Sequence, residues 1–257
     1  MRSLLIRGLA AYDDAGEQQH NPRQLGVVGS TDNHTAAPGY VEEDQWQGSA
    51  CGAGDFARAM TRIDWNPGGL VAVWAEENTR ESLFAAMKRR EVYATSGPRI
   101  RLQFSASTRH RDLSCSPDHG ETDSIVTMGG DFADGRRPPQ FRIIAHYDQV
   151  PLQKIEIIKG EWRDGEASET RHTIWSGHGD GKSICQTWTD PDFHPTAPAF
   201  WYVRISQQPT LRWSASLCRQ YDQCAEYPQA DQTIQERAWS SPIWFLPVTD
   251  GQPRPAG

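Results

Sequence analysis

Leu25-Gly26-Val27-Val28-Gly29-Ser30-Thr31-Asp32-Asn33-His34-Thr35 is the stretch on which the reading of this chain turns. Its apolar half predicts a buried strand that ends at Gly29-Ser30, followed at once by a carboxylate and an imidazole two residues apart. On an extended segment, residues i and i+2 face the same side. Asp32 and His34 are therefore expected to enter one cleft, where an oxygen and a nitrogen donor suit Zn, Mn or Fe. The plainer alternative is that Asp32 caps a turn. Two donors also fall short of the three or four that hold a metal. The other histidines (His20, His110, His119, His146, His172, His178 and His194) form no His-x-His or HExxH pattern. His20, in the polar loop before the strand, is the nearest in sequence.

Working outward, residues 1–97 read as α/β. Leu4, Leu5 and Leu9 have helical spacing, predicting a helix over about 1–12. Arg7 and the early Tyr12-Asp13-Asp14 argue against a signal peptide. The Gly-rich loop Ala36–Gly54, holding Tyr40, Trp46 and Cys51, is long enough to suggest a lid. Leu70–Ala75 predicts a second buried strand. A helix then opens at Thr79 as N-cap and buries Leu83, Phe84 and Met87, with acid first and base last as the helix dipole favours. Beyond the turn Ser96-Gly97-Pro98-Arg99 the pattern changes. Ile100–Phe104, Phe141–His146, Lys154–Lys159 and Ala199–Ile205 alternate with period two between Gly, Pro and Asp turns, which predicts an antiparallel β-sandwich-like domain over 98–257.

The composition narrows the functional classes. The 257 residues carry a net charge of −7, and the basic residues are scattered. That is no footprint for nucleic acid. No run of 18 apolar residues predicts a membrane helix. Ten tryptophans supply large side chains for a core. The five cysteines make no CxxC pair, so a zinc ribbon is not expected. Cys218 and Cys224 flank a short polar loop and are either a disulfide or two free thiols.

Other residues have both a functional and a plain reading. Arg99 can hold a phosphate or carboxylate through its guanidinium fork, or pair with a nearby acid. Tyr40 and Trp46 can touch substrate from the loop. Glu76 and Glu77 either face an active site from a strand end or simply start the helix. Gly177–Lys182 reads as a hairpin loop. The tryptophans after residue 160 read as sandwich core, with a carbohydrate- or protein-binding face as the alternative.

Taken together, Gly29–Thr35, Gly69–Arg80 and Tyr93–Ile100 resemble the bacterial domain-of-unknown-function family numbered 3604. Met128–Asp131, Ile155–Gly160, Trp188–Phe193 and Gln235–Trp244 extend the resemblance in order over nearly the whole chain. The family in turn resembles the PHP superfamily of metal-dependent phosphoesterases. The resemblance implies the C-terminal part of a PHP-like (β/α) barrel in residues 1–97, followed by the β-domain. It also implies that Asp32 and His34 match that superfamily's last metal motif as ligands of divalent metal, and that the intact protein hydrolyses a phosphoester. The opening His-x-His of such sites is absent, so this chain is expected to be inactive alone. A separately encoded N-terminal half is one way to complete the barrel; a fragment or a late start are the others. Full-length relatives are expected to be periplasmic or exported.

Overall fold

The computed structural model describes residues 2–14, 21–49, 54–108, 113–115, 125–177 and 182–248. Its helices are α1 (Arg2–Asp14), α2 (Phe56–Met60), α3 (Arg80–Lys88) and α4 (Trp213–Gln220). The strands begin with β1 (Leu70–Val73), β2 (Val92–Thr95), β3 (Arg101–Ser107), β4 (Ile125–Thr127) and β5 (Asp131–Phe132). They continue with β6 (Gln140–His146), β7 (Leu152–Arg163), β8 (Glu166–Ser176), β9 (Ser183–Thr189) and β10 (Ala199–Gln207). The last are β11 (Thr210–Leu211), β12 (Thr233–Ile234), β13 (Arg237–Ser240) and β14 (Ile243–Phe245). The chain is mostly β, and no described helix is long and apolar enough to cross a membrane.

Two sheets share one core. In the smaller sheet, β4, β3, β6 and β9 lie side by side, all antiparallel. The larger is centred on β10. Along one edge β10 pairs with the whole of β7, which pairs with β8. Along the other it pairs with β13 and then β14, end to end, because Ser241-Pro242 breaks what would be one long strand. Phe104, Phe141 and Ile143 from the smaller sheet pack with Ile155, Trp201, Val203 and Phe245 from the larger. The Phe141 and Trp201 rings, 5.2 Å apart, join the two. The four segments expected from alternation are β3, β6, β7 and β10, and β6 alternates cleanly between buried and half-buried positions.

The outer face of the larger sheet is also apolar, which makes β10 buried along nearly its whole length. α1 covers that face. Leu5, Leu9 and Tyr12 pack on Ile158, Phe200, Tyr202 and Trp244, while Leu4 stays exposed. The helix expected at the start of the chain thus completes the β-region. The turn near residue 98 does separate two sheets. Yet β2 pairs with β13, so the first 97 residues are built into the same sheet as the last strands.

The barrel expectation is corrected. β1 and β2 are antiparallel, with Leu70 opposite Thr95 and Val73 opposite Val92. A (β/α) barrel needs parallel strands joined by crossovers. No barrel closes among the described residues. Leu25–Gly29 is not a strand among the described residues; Gly26 lies close to Val92 and Gly29 to Leu70 and Thr95, with Val27 buried and Leu25 and Val28 exposed. α3 forms where expected, and Ser82 N donates to the Thr79 hydroxyl at 3.3 Å. Its expected buried stripe is corrected too, because Ala86 is the buried residue while Phe84 and Met87 face outward.

Candidate functional site

The local backbone around Asp32 follows from two glycines. Gly69 N donates to Ser30 O at 3.0 Å, pinning the segment to the start of β1. A Cβ on Gly68, whose φ is +86°, would lie 2.3 Å from Thr31 Cα. Only glycine fits that approach in that conformation. Gly68→Ala is expected to cost roughly 2 kcal/mol or more and to free residues 29–31. Urea denaturation and exchange of the Gly69 amide measure this; an unchanged midpoint would show that the contact does not hold the segment.

Asp32 has a φ of +50°, and His34 begins a turn. The extended geometry that would aim both side chains to one side is therefore absent. Both residues are exposed. Between and beside them, Asn33 Nδ2, Asn33 Oδ1 and Thr35 Oγ1 are buried atoms without a hydrogen-bond partner. Buried polar atoms are nearly always satisfied. Among the described residues no group of three or more His, Cys, Asp and Glu is placed to hold a metal. Asp32 and His34 fit a divalent metal by donor type but fall short by number. His20 and Cys51 lie outside the described residues. His146, on β6, pairs in register with Arg101 and Ser183, inside the smaller sheet.

The residues expected to touch substrate lead to a different place. Arg99 forms an ion pair with Glu42 and lines a cleft with Val41 and Pro98. Its fork is thus engaged by a carboxylate of the long loop. The Tyr40 hydroxyl donates to Gln45 O. Trp46 faces inward and packs edge-on against Trp213, with ring centroids 4.7 Å apart, in a small core with Met60 and Leu217. The loop that carries Tyr40 and Trp46 is anchored over the cleft by an aromatic side chain. Glu76 and Glu77 are exposed ahead of α3, where acids suit a helix start.

Two carboxyl groups lie at the bottom of this cleft. Glu43 accepts a hydrogen bond from the Trp213 amide, and Glu236 accepts one from the Ser96 hydroxyl. Arg237 N donates to the same Ser96 oxygen at 2.8 Å. The two carboxyls also hydrogen-bond each other. Burial pushes Glu43 up to about 7, against the Trp213 amide, which favours the ionised form. Burial raises Glu236 as well. Sequence reasoning missed both residues. Glu43 sits in a run of acids in a loop, and Glu236 sits between short strands; neither has a spacing that reveals the other.

The cysteines are joined as Cys218–Cys224 and Cys115–Cys185. The second pairing links residues 70 apart in sequence and left no local signal.

The fold and this cleft define an antiparallel β-rich protein with a loop-covered acidic cleft and an exposed Asp-x-His turn. The family model described as "Protein of unknown function (DUF3604)" matches residues 1–181 and 172–247, and the chain belongs to that family. The chain is also similar to an uncharacterised protein of Chlamydia pneumoniae, 26% identical over 197 residues. That match covers 71% of this chain and 23% of the relative, so the chain spans about a quarter of the relative's length.

Proposed function

We propose that this chain contributes two ligands, Asp32 and His34, to the divalent-metal site of a PHP-like hydrolase acting on a phosphoester, the remaining ligands coming from another polypeptide segment. The observation that carries this reading is the Asp32–Thr35 segment, where two exposed donors alternate with Asn33 and Thr35, whose three buried polar side-chain atoms have no partner. A bound metal would polarise the phosphoryl oxygen and supply hydroxide. The chain's own part is to present a carboxylate and an imidazole on a turn pinned by Gly68 and Gly69.

A partner segment has a surface to cover. β1 ends the order of the larger sheet, and Val71 on it and Phe84 and Met87 on the helix that follows are exposed. Exposed apolar side chains at a sheet edge favour association. The match covers only 23% of the relative, whose remaining length is consistent with such a segment. The binding-module alternative has less to rest on. Trp201, Trp213 and Trp244 are in the core, and the exposed aromatic rings Trp65, Phe84 and Tyr221 lie on separate elements.

The test is metal content by elemental analysis of the chain with and without the part of the longer relative that it does not match. We expect stoichiometric metal only with both parts, and its loss in Asp32→Ala/His34→Ala. Metal retained in that double variant, or none with both parts present, would overturn the proposal.

A further inference from the structure

The Glu43–Glu236 contact lies between two clefts. One, of about 370 Å³, is lined by Glu42, Arg99 and Asp148. The other, of about 450 Å³, is lined by Val28, Ser30 and Trp239. Glu43 and Glu236 line both, so the pair is a partition. We propose that this pair is a proton-operated gate: one shared proton holds the 41–49 segment against the link between β12 and β13 and keeps the clefts apart, and loss of that proton joins them.

The geometry ties three parts of the chain to a single contact. Glu43 belongs to the loop segment, anchored by Trp46 on one side and by the Trp213 amide on the other. Glu236 precedes β13 and is fastened to the β2–β3 turn through Ser96. Two carboxyls in hydrogen-bond contact must share a proton, because two adjacent anions out of water repel. The charged neighbours do not remove this need. Arg212, at the start of α4, attracts Glu43. Its guanidinium is held by the Ser214 hydroxyl at 3.0 Å and by Trp65 O, with Asp64 beyond. Arg237 attracts Glu236. Glu42 is neutralised by Arg99, which also feels Asp148, and Asp44 lines the first cleft. Burial outweighs these attractions and both groups keep their protons to higher pH. A carboxyl with a raised pKa in the folded chain stabilises the contact fully below its ordinary value of 4.5. That contribution is lost as pH rises through about 7.

Hydrogen exchange of the 41–49 amides in the whole chain, corrected for the intrinsic rate, reads the gate. Between about pH 5.5 and about pH 8.5 we expect protection of this segment to fall about tenfold or more. In Glu43→Gln the fall should vanish, because a carboxamide donates to Glu236 at every pH. Glu42→Gln should keep the fall, since Glu42 pairs with Arg99 and not with the gate. Asp32→Ala should also keep it, which separates this inference from the metal reading. Equal protection at both pH values in the unaltered chain overturns the gate, as does an unchanged fall in Glu43→Gln. If Glu43→Gln does not fold, the unaltered chain and Glu236→Gln decide it on the same criterion.

Discussion

Lys159→Met is expected to destabilise the chain by about 3–5 kcal/mol, because it strands buried carboxylates. Lys159 Nζ lies 3.0 Å from both Glu161 Oε2 and Asp190 Oδ2, with the three side chains 5%, 7% and 0% exposed. The same ammonium donates to Asp192 O at 2.7 Å. Asp190 is further engaged by the Trp201 indole N–H at 3.1 Å, so it cannot turn away to water. A methionine would fill most of the volume, leave Asp190 without its cation and leave Glu161 with only the half-exposed Arg163, 3.5 Å from its Oε1. The midpoint of urea denaturation measures the loss. Arg136→Met is the comparison: its partner Asp134 is 3.5 Å away and the pair is exposed, so no measurable change is expected. A loss below about 1 kcal/mol for Lys159→Met would show that the network is solvated.

The second large effect comes from the disulfides, and it should differ between them. Closing a loop in the unfolded chain removes entropy that grows with loop length. Cys115–Cys185 spans 70 residues and Cys218–Cys224 spans 6. On the chain-entropy scale, opening the first by Cys115→Ser/Cys185→Ser should cost about 4 kcal/mol, and opening the second about 2 kcal/mol. The first bond also clamps the chain after β3 onto β9 at the edge of the smaller sheet. Denaturation of the two double variants in oxidising buffer gives the comparison. Equal losses would contradict the loop-length account.

The candidate site was legible only in part. Asp32 and His34 stand out in the sequence because an apolar run, a Gly-Ser stop and two donors are adjacent in the chain. Their orientation was not legible: Asp32 has a positive φ, and the Thr31 backbone beside it lies against Gly68, a contact between residues distant in the chain. Arg99 was singled out, and so was its plain alternative of pairing with an acid; the partner, Glu42, is 57 residues away. Glu43 and Glu236 could not be paired from sequence, because a buried carboxyl and an exposed one look the same in one dimension.

For the fold, the division is similar. Period two located β3, β6, β7 and β10; in β6 the alternation also reports one buried face, whereas β10 is buried on both because α1 covers the outer side of its sheet. Helical spacing of Leu4, Leu5 and Leu9 located α1, although Leu4 stays exposed, and Thr79 marked where α3 begins. Direction and partnership were decided by the tertiary structure. An apolar strand followed by a helix and another strand fits a parallel unit or an antiparallel one. Here β13, arriving from the far end of the chain, takes the place beside β2, and β1 folds back antiparallel on its other side. Leu25–Val28 has the composition of a strand, yet it joins no sheet; Val27 N is instead satisfied by the Ser241 hydroxyl at 2.9 Å. Residues near in sequence determine local shape through sterics and periodicity. Which faces are buried, which acids share a proton and which cysteines meet depend on contacts between segments that only the folded chain brings together.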